Sequence, residues 1–237
     1  MDEKRHVNPI FLTQTVIRII VLNVLFIGSN LPLVAAALLF GPSTLAESSF
    51  LFFILSLTLG PSLIALFRSS FKAIELPDAG CYRVFFTTYI QSFSKEMLPL
   101  MFIQLVLFFL SFFNLAMSLF PVLSLLAPVY LFSKLVLMLL FPILSLEIAL
   151  FQNTFQTNIK NALIILFKKP LLPLFTVIYA VFVLLLVNEF PASLLLFVFS
   201  LFTFLFTSFS FNDLQHRINQ RLTAEKDDLP DEPTSQF

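Results

Sequence analysis

Six apolar stretches, each close to the length that crosses a bilayer, constrain this chain more than any other feature of its sequence. A helix needs about 20 apolar residues to cross the hydrocarbon of a membrane. The stretches cover residues 16–40, 50–67, 97–117, 122–146, 171–187 and 190–211. Only 12% of the 237 residues are charged, against about 25% in a soluble domain. The sequence therefore predicts an all-α membrane protein, a polytopic bundle of six transmembrane helices that forms one domain over residues 1–211.

The first stretch is predicted to be a retained helix and not a cleaved signal peptide. It covers residues 16–40, whereas the apolar core of a signal peptide has about 7–15 residues. Asp2 and Glu3 also dilute the positive charge that should precede such a core.

The placement of the basic residues predicts which ends lie in the cytoplasm. With the N-terminus inside, thirteen of the fourteen basic residues fall on the cytoplasmic side. They are Lys4, Arg5, Arg18, Arg68, Lys72, Arg83, Lys95, Lys160, Lys168, Lys169, Arg217, Arg221 and Lys226. The outer loops, at residues 41–49, 114–121 and 188–189, hold none. This asymmetry is the positive-inside pattern, and it favours cytoplasmic N- and C-termini.

The connection between the fifth and sixth stretches leaves an alternative open. Only Asn188 and Glu189 separate the two, and Pro191 falls in the first turn of the following helix, where its missing N–H costs nothing. We interpret the pair as a tight helical hairpin. One long broken helix would give five crossings and would place Arg217 and Arg221 outside, so the charges favour six.

Two cytoplasmic connections are predicted to form amphipathic helices at the inner membrane surface, at about residues 82–95 and 155–167. Apolar side chains recur in both at three- and four-residue spacing, which is typical of such helices. The apolar positions are Tyr82, Phe85, Phe86, Tyr89, Ile90 and Phe93 in the first, and Phe155, Ile159, Ala162, Leu163 and Leu166 in the second. The alternative is that each connection extends a neighbouring membrane helix into the cytoplasm.

The two connections also resemble each other. Residues 93–100 align with residues 167–174 at a constant offset, with Phe, Lys, Leu, Pro and Leu in matching places. Eight positions thus suggest that stretches two and three, with their connection, repeat as stretches four and five.

Several short motifs carry a family resemblance. They are the run Leu-Gly-Pro-Ser-Leu-Ile-Ala-Leu-Phe-Arg at residues 59–68, the phenylalanines Phe85, Phe86 and Phe93, the segments 141–145 and 160–163, and Asn23 followed by Leu31-Pro32. On these motifs the chain resembles the YesL family of bacterial membrane proteins up to about Asn188. It departs from the family at its N-terminus and in its acidic tail.

The resemblance implies a location and a partner class. YesL-like proteins are small integral proteins of the bacterial plasma membrane, often encoded beside genes for carbohydrate uptake and degradation. It therefore implies a protein linked to carbohydrate utilisation, with a carbohydrate ABC transporter as a partner class. No activity and no catalytic residue comes with it.

No motif points to an enzyme, a cofactor or a metal. The sequence contains no His-Glu-x-x-His and no Gly-x-Ser-x-Gly. His6 and His216 lie outside the apolar stretches, and Cys81 has no histidine near it in the sequence. We expect no catalytic residue, no cofactor, no metal and no nucleic-acid partner; the expected partners are the lipid bilayer and other membrane proteins.

The unusual intramembrane charge is Lys134, about twelve residues into the fourth stretch. A charge near the bilayer centre costs about 2.5–3.5 kcal/mol even on a lenient scale. Glu147 lies about 20 Å further along the same helix at 1.5 Å per residue, so the two cannot pair directly. Glu47 and Glu189 at the outer face are reachable partners if the fourth helix is shifted so that Lys134 lies nearer the outer leaflet and snorkels. Lys134 is either a ligand- or ion-pathway residue or a lysine that snorkels and sets helix depth.

Five other residues are candidates for polar or kinked positions in the bundle. Asn23 and Asn30 lie seven residues apart on one face of the first stretch, and such asparagines usually bond to another helix. Gly60 and Pro61 are predicted to kink the second stretch and to free carbonyls near Ser56 and Leu57. Arg68, on the inner side, is the first basic residue after that kink.

The residues after 211 change character. Residues 212–237 carry Asp227, Asp228, Asp231 and Glu232 and few apolar residues, so we predict an acidic cytoplasmic tail that starts helical and ends disordered.

Two functions follow from these features. The first is a non-enzymatic accessory or partner-binding membrane protein linked to carbohydrate uptake. The alternative is a small-solute transporter or channel subunit that uses a polar site near Lys134 and the Gly60-Pro61 break.

Overall fold

The chain is helical throughout the part that the computed structural model describes, which is residues 9–44, 49–76, 80–93, 97–151, 153–190 and 197–227. Within these ranges the helices are joined by short turns and there is no strand. The all-α prediction is confirmed for this part of the chain.

Ten α-helices follow one another within these ranges. They are α1 Pro9–Ser29, α2 Leu31–Thr44, α3 Ser49–Ser56, α4 Leu59–Glu75, α5 Cys81–Ser92, α6 Leu98–Leu119, α7 Ala127–Leu150, α8 Phe155–Lys168, α9 Leu171–Glu189 and α10 Phe199–Asp227. A 3-10 helix, Pro121–Leu126, precedes α7.

The first apolar stretch, predicted as one helix over residues 16–40, is two helices. The break lies at Asn30, two residues before Pro32. Pro32 lacks the amide hydrogen that would bond to the Gly28 carbonyl in a continuous helix. The stretch predicted as one helix is therefore two helices that meet at Asn30.

The second stretch is interrupted at residues 57–58, earlier than its Gly60-Pro61 pair suggested. Pro61 lies in the first turn of α4, where its missing N–H removes no helical bond. The expected kink is thus an interruption that ends α3 at Ser56 and starts α4 at Leu59, within the single apolar segment Phe50–Glu75.

The sixth stretch also differs from its predicted range of 190–211. The helix α10 is described from Phe199 to Asp227 and so continues about four turns past the predicted end. The helical start predicted for the tail is therefore long. Pro191 and the end of the tail lie outside the described residues.

The centre of the bundle is α4, which packs against α1, α5, α7 and α10. Two clusters of buried apolar side chains meet on it. Ile64 and Phe67 belong to a cluster shared with α7 and α10, whereas Ala65 and Leu66 belong to one shared with α1 and α5. Neighbouring positions on α4 face different partners, which explains why this short helix is buried on most sides.

Aromatic rings join α9 to α10. Phe175 lies 6.0 Å from Phe202 and 5.2 Å from Phe209, measured between ring centroids. Tyr179, one turn further along α9, lies 5.1 Å from Phe202 and donates a 2.6 Å hydrogen bond to the Val198 carbonyl. Later residues of α9 thus meet earlier residues of α10, so the two helices run antiparallel as a hairpin.

Two helices in the described part of the chain are long and apolar enough to cross a membrane, Phe50–Glu75 (α3 with α4) and Val122–Leu150. The pair Phe155–Lys168 and Leu171–Leu186 adds a third span if a bend of 82° is allowed within it. Thr13–Ser29 and Leu98–Phe113 are apolar but shorter. Lengths and composition therefore support two or three spans.

The two predicted amphipathic helices are α5 and α8, which pack on α4 and α7 respectively. Helix α8 is separated from α7 by a turn and is bent by 82° from α9. It is therefore a helix of its own and not an extension of either neighbour.

The offset seen in the sequence recurs in the helix positions. Helix α8 starts at Phe155, 74 residues after the start of α5 at Cys81. With the same offset, the buried Thr88 and Ser92 of α5 correspond to the buried Ala162 and Leu166 of α8. Cys81 and Phe85, the other buried residues of α5, correspond to the exposed Phe155 and the half-buried Ile159, so the likeness in burial is limited to the second half of the two helices.

Gly60 allows α4 and α6 to approach closely. A Cβ atom on Gly60 would lie 3.3 Å from the Leu100 Cβ, whereas one on Gly28 of α1 would meet nothing within 4 Å. We expect Gly60→Val to lower the free energy of unfolding by about 1–3 kcal/mol, because added atoms in a packed contact force shifts. Gly28→Val is the matched control and should change it by less than about 0.5 kcal/mol. Circular dichroism during SDS titration of the detergent-solubilised protein measures both, and equal losses would contradict the packing explanation.

Candidate functional site

A buried ion pair joins α7 to α10. The carboxylate of Glu147 is fully buried and accepts two hydrogen bonds from Arg217, at 2.5 Å from Nη1 and 3.0 Å from Nη2. The guanidinium carbon also lies 4.6 Å from the centroid of the Phe151 ring. Two parallel bonds and an aromatic face hold the arginine in one geometry.

Sequence reasoning named Glu147 as a candidate but did not identify its partner. Arg217 appeared there only as one of the cytoplasmic charges, six residues beyond the predicted end of the sixth helix. The available signal was the carboxylate itself, because a charge buried in a helical bundle needs an opposite charge beside it.

A second ion pair lies one turn earlier on α10. Lys169, between α8 and α9, pairs with Asp213, and both side chains are 40% or more exposed. Exposed pairs stabilise a protein by about 0–1 kcal/mol. The pair therefore marks where the α8–α9 junction meets α10 and adds little stability of its own.

Asn30 connects the break in the first stretch to the break in the second. Its Nδ2 donates to the Phe26 carbonyl and to Ser62 Oγ, both at 2.8 Å, and its Oδ1 accepts a 2.9 Å bond from Thr58 Oγ1. The side chain is 1% exposed. A single buried amide thus uses its donors and its acceptor to hold two interrupted helices side by side.

Asn23 caps the start of α10. Its Oδ1 accepts hydrogen bonds from the backbone N–H groups of Phe199 at 2.9 Å and Ser200 at 3.1 Å. The first N–H groups of a helix have no partner within that helix. Asn23, which belongs to α1, therefore accepts hydrogen bonds from N–H groups of α10, as the side chain of a capping residue usually does.

Gln104 of α6 bonds to the chain where α3 ends. Its Nε2 donates a 2.8 Å hydrogen bond to the Ser56 carbonyl. A freed carbonyl near Ser56 was expected, but its partner was not. Ser62, in the first turn of α4, donates to the Leu59 carbonyl at 3.0 Å.

Lys134 lies on α7 and is half-buried. Its Nζ is 5.8 Å from the centroid of the Tyr130 ring, one turn earlier on the same helix. No ion pair within the described ranges includes it. Of the two partners considered, Glu47 lies outside the described residues, and Glu189 is exposed at the end of α9.

Arg68 of α4 is half-buried, and it too takes part in no ion pair among the residues described. Its helix neighbours Phe67 and Ser69 are fully buried.

The predicted site residues therefore form separate groups. Asn30 meets the start of α4 that contains Gly60 and Pro61, whereas Asn23 and Glu147 each bond to different parts of α10. No hydrogen bond or ion pair found in the described residues joins Lys134 to any of these groups.

The same ranges contain no group of three or more His, Cys, Asp and Glu side chains that could hold a metal ion. The polar groups described above mostly bond helices to one another.

Comparison with known proteins adds no identification. No protein-family model matches the chain. Searches of curated proteins and of solved structures likewise find no match. The resemblance to the YesL family thus stays a prediction from the motifs quoted above.

Cys81 offers a probe of the packing of α5. Its side chain is 5% exposed, and burial raises the pKa of the thiol, with the charge of Arg18 opposing that shift. Because the thiolate is the reactive form, we expect a maleimide to label Cys81 at least tenfold more slowly in mild detergent than in SDS, and faster as the pH rises. A Thr87→Cys variant in a Cys81→Ser background is the exposed control on the same helix. Equally fast labelling at both positions would show that α5 does not pack as described.

Proposed function

We propose that this chain is a multi-pass integral membrane protein that acts by binding other membrane proteins and not by catalysis. The observation that carries the proposal is how the polar side chains are used. Asn23, Asn30 and Glu147 are fully or almost fully buried, and each bonds to another helix of the same bundle. Such bonds fasten membrane helices and leave these groups committed within the fold.

The topology we propose has six crossings, with both termini in the cytoplasm of a bacterium. The antiparallel packing of α9 and α10 supports a hairpin between the fifth and sixth crossings. Arg217, which pairs with Glu147, and Lys169, which pairs with Asp213, both lie near one end of that hairpin. Basic residues are expected at that end if it faces the cytoplasm.

Reporter fusions test this topology. Fusions after Lys169 and at Phe237 should give a cytoplasmic signal, and a fusion after Asn188 should give an external one. An external signal at Phe237 would exclude six crossings.

We propose that α9 is the surface that contacts a partner. This helix packs on the bundle through Leu172, Phe175 and Tyr179, whereas Ile178, at 59%, and Leu185, at 65%, are exposed. Within a bilayer such a face is covered by lipid or by the helix of another protein. The resemblance to YesL-like proteins makes a carbohydrate ABC transporter the partner class we propose.

Co-purification tests the partner. A carbohydrate ABC transporter from the same genome should co-purify with the chain in mild detergent and should be lost from an Ile178→Trp/Leu185→Trp variant. The matched control is Val129→Trp/Phe132→Trp on α7, where the exposed fractions are 63% and 65%. Failure of the transporter to accompany the unaltered chain would contradict the accessory function.

A small-solute transporter or channel subunit is the second candidate. It is favoured by the two helix breaks that meet at Asn30 and by Lys134, because interrupted helices build the binding sites of many transporters. Uptake of a sugar into vesicles that contain only this chain, abolished by Lys134→Ala, would establish this function in place of the first.

A further inference from the structure

Helix α5 has two apolar faces, and only one of them packs on the bundle. The buried side chains are Cys81, Phe85, Thr88 and Ser92. The exposed apolar side chains are Tyr82, Phe86 and Ile90 of α5 and Phe93 directly after it, with exposed fractions of 59%, 51%, 71% and 47%. The single apolar stripe predicted from the sequence is therefore divided between two faces of the helix. Phe85 faces the protein. Tyr82, Phe86 and Ile90 form a row at four-residue spacing that faces away from the protein.

Helix α8 shares only part of this arrangement, because the positions of Tyr82 and Phe86 correspond to Gln156 and Lys160 at the offset of 74 residues. It buries Asn158, Ala162 and Leu166. It exposes Phe155, Ile164 and Phe167, with Phe167 71% exposed. The exposed Ile90 and Phe93 of α5 correspond to Ile164 and Phe167 at the offset of 74 residues.

The charges on the two helices have one sign. The sequences of α5 and α8 contain no acidic residue, although the chain has fourteen. Arg83, Lys160 and Lys168 are exposed, and within the described residues none of them belongs to an ion pair. Lys72 and Lys169, close by in sequence, instead pair with carboxylates of this chain.

We propose that α5 and α8 bind anionic phospholipids at the cytoplasmic surface of the membrane. The exposed apolar rows enter the boundary between headgroups and acyl chains, and Arg83, Lys160 and Lys168 contact the phosphates. An apolar row beside unpaired cations is the surface that binds an anionic membrane. The inference rests on the membrane location proposed above.

The chemistry of these faces favours lipid over a soluble anion. A phosphate ion or a sugar phosphate would gain nothing from Phe86, Ile90 or Phe167. The long side chains of lysine and arginine also reach a headgroup while their stems cover apolar surface.

Two charge variants with the same net change test the proposal. Titration of phosphatidylglycerol into the purified protein in nonionic detergent, followed by native mass spectrometry, gives an apparent dissociation constant, with phosphatidylcholine as the neutral lipid. Each basic residue near an anionic surface contributes about fivefold in affinity. We therefore expect Arg83→Gln/Lys160→Gln to weaken phosphatidylglycerol binding about 25-fold, and Lys72→Gln/Lys169→Gln to change it less than about threefold.

An apolar variant identifies the ligand as a lipid. Phe86→Ser/Ile90→Ser should also weaken phosphatidylglycerol binding, and glycerol phosphate at the same concentration should not compete. Competition by glycerol phosphate, or equal losses in the two charge variants, would overturn the proposal.

The result is separable from the function proposed above. A chain that resists extraction by carbonate and yet binds both lipids equally would contradict only the lipid site. A chain that carbonate releases from the membrane would contradict the membrane location itself.

Discussion

Replacing Arg217 by alanine is expected to lower the free energy of unfolding by about 3–5 kcal/mol, which is the cost of leaving a buried charge without its partner. The Glu147 side chain is fully buried, and Arg217 supplies both hydrogen bonds found at its carboxylate. Unfolding in SDS, followed by circular dichroism, measures the loss.

Two further variants separate the ion pair from a general effect of losing a side chain. Glu147→Leu/Arg217→Leu removes both charges and should cost less than Arg217→Ala, because no buried charge is left unpaired. Lys169→Ala breaks the exposed pair with Asp213 and should cost less than about 1 kcal/mol. A loss in Lys169→Ala as large as that in Arg217→Ala would contradict this account.

Replacing Asn30 by alanine is expected to cost about 2 kcal/mol. The change removes the bonds to Thr58, Ser62 and the Phe26 carbonyl, and bonds between membrane helices contribute about 0.6 kcal/mol on average and up to about 1.7 kcal/mol. Asn212→Ala, on an exposed position of α10, is the matched control and should cost less than about 0.5 kcal/mol.

A double-mutant cycle tests whether Asn30 acts through the contact with α4. Thr58 and Ser62 retain backbone acceptors, the Leu55 and Leu59 carbonyls, when Asn30 is removed. Asn30→Ala and Ser62→Ala should therefore show a coupling of about 0.5–1.5 kcal/mol. Strictly additive losses would mean that the two sites are independent and that the breaks are held by apolar packing.

Sequence patterns predicted the helices that correspond to a continuous apolar run. Helix α6 was expected over residues 97–117 and covers Leu98–Leu119, and α9 was expected over 171–187 and covers Leu171–Glu189. Their boundaries carry clear signals, because Pro99 lies in the first turn of α6 and Pro170 precedes α9.

The features that sequence reasoning missed depend on contacts between distant helices. The break at Asn30 could have been predicted, because Pro32 cannot donate the helical hydrogen bond to the carbonyl four residues before it. The partner of Glu147 was not, since seventy residues separate it from Arg217. Likewise, Tyr82 and Phe85 belong to the same aromatic pattern in the sequence, and contacts of α5 with α1 and α4 determine that one is exposed and the other buried.

The offset of 74 residues between α5 and α8 allows each residue of one helix to be compared with the residue at the matching position of the other. Thr88 and Ala162 are both buried at positions that match under this offset, and Cys81 and Phe155 both begin their helices. If the halves descend from one ancestral segment, the two residues of each such pair differ because their surroundings in the two halves have changed. Exchanging Thr88 and Ala162 would then measure, inside one molecule, how far each half has adapted to its own neighbours.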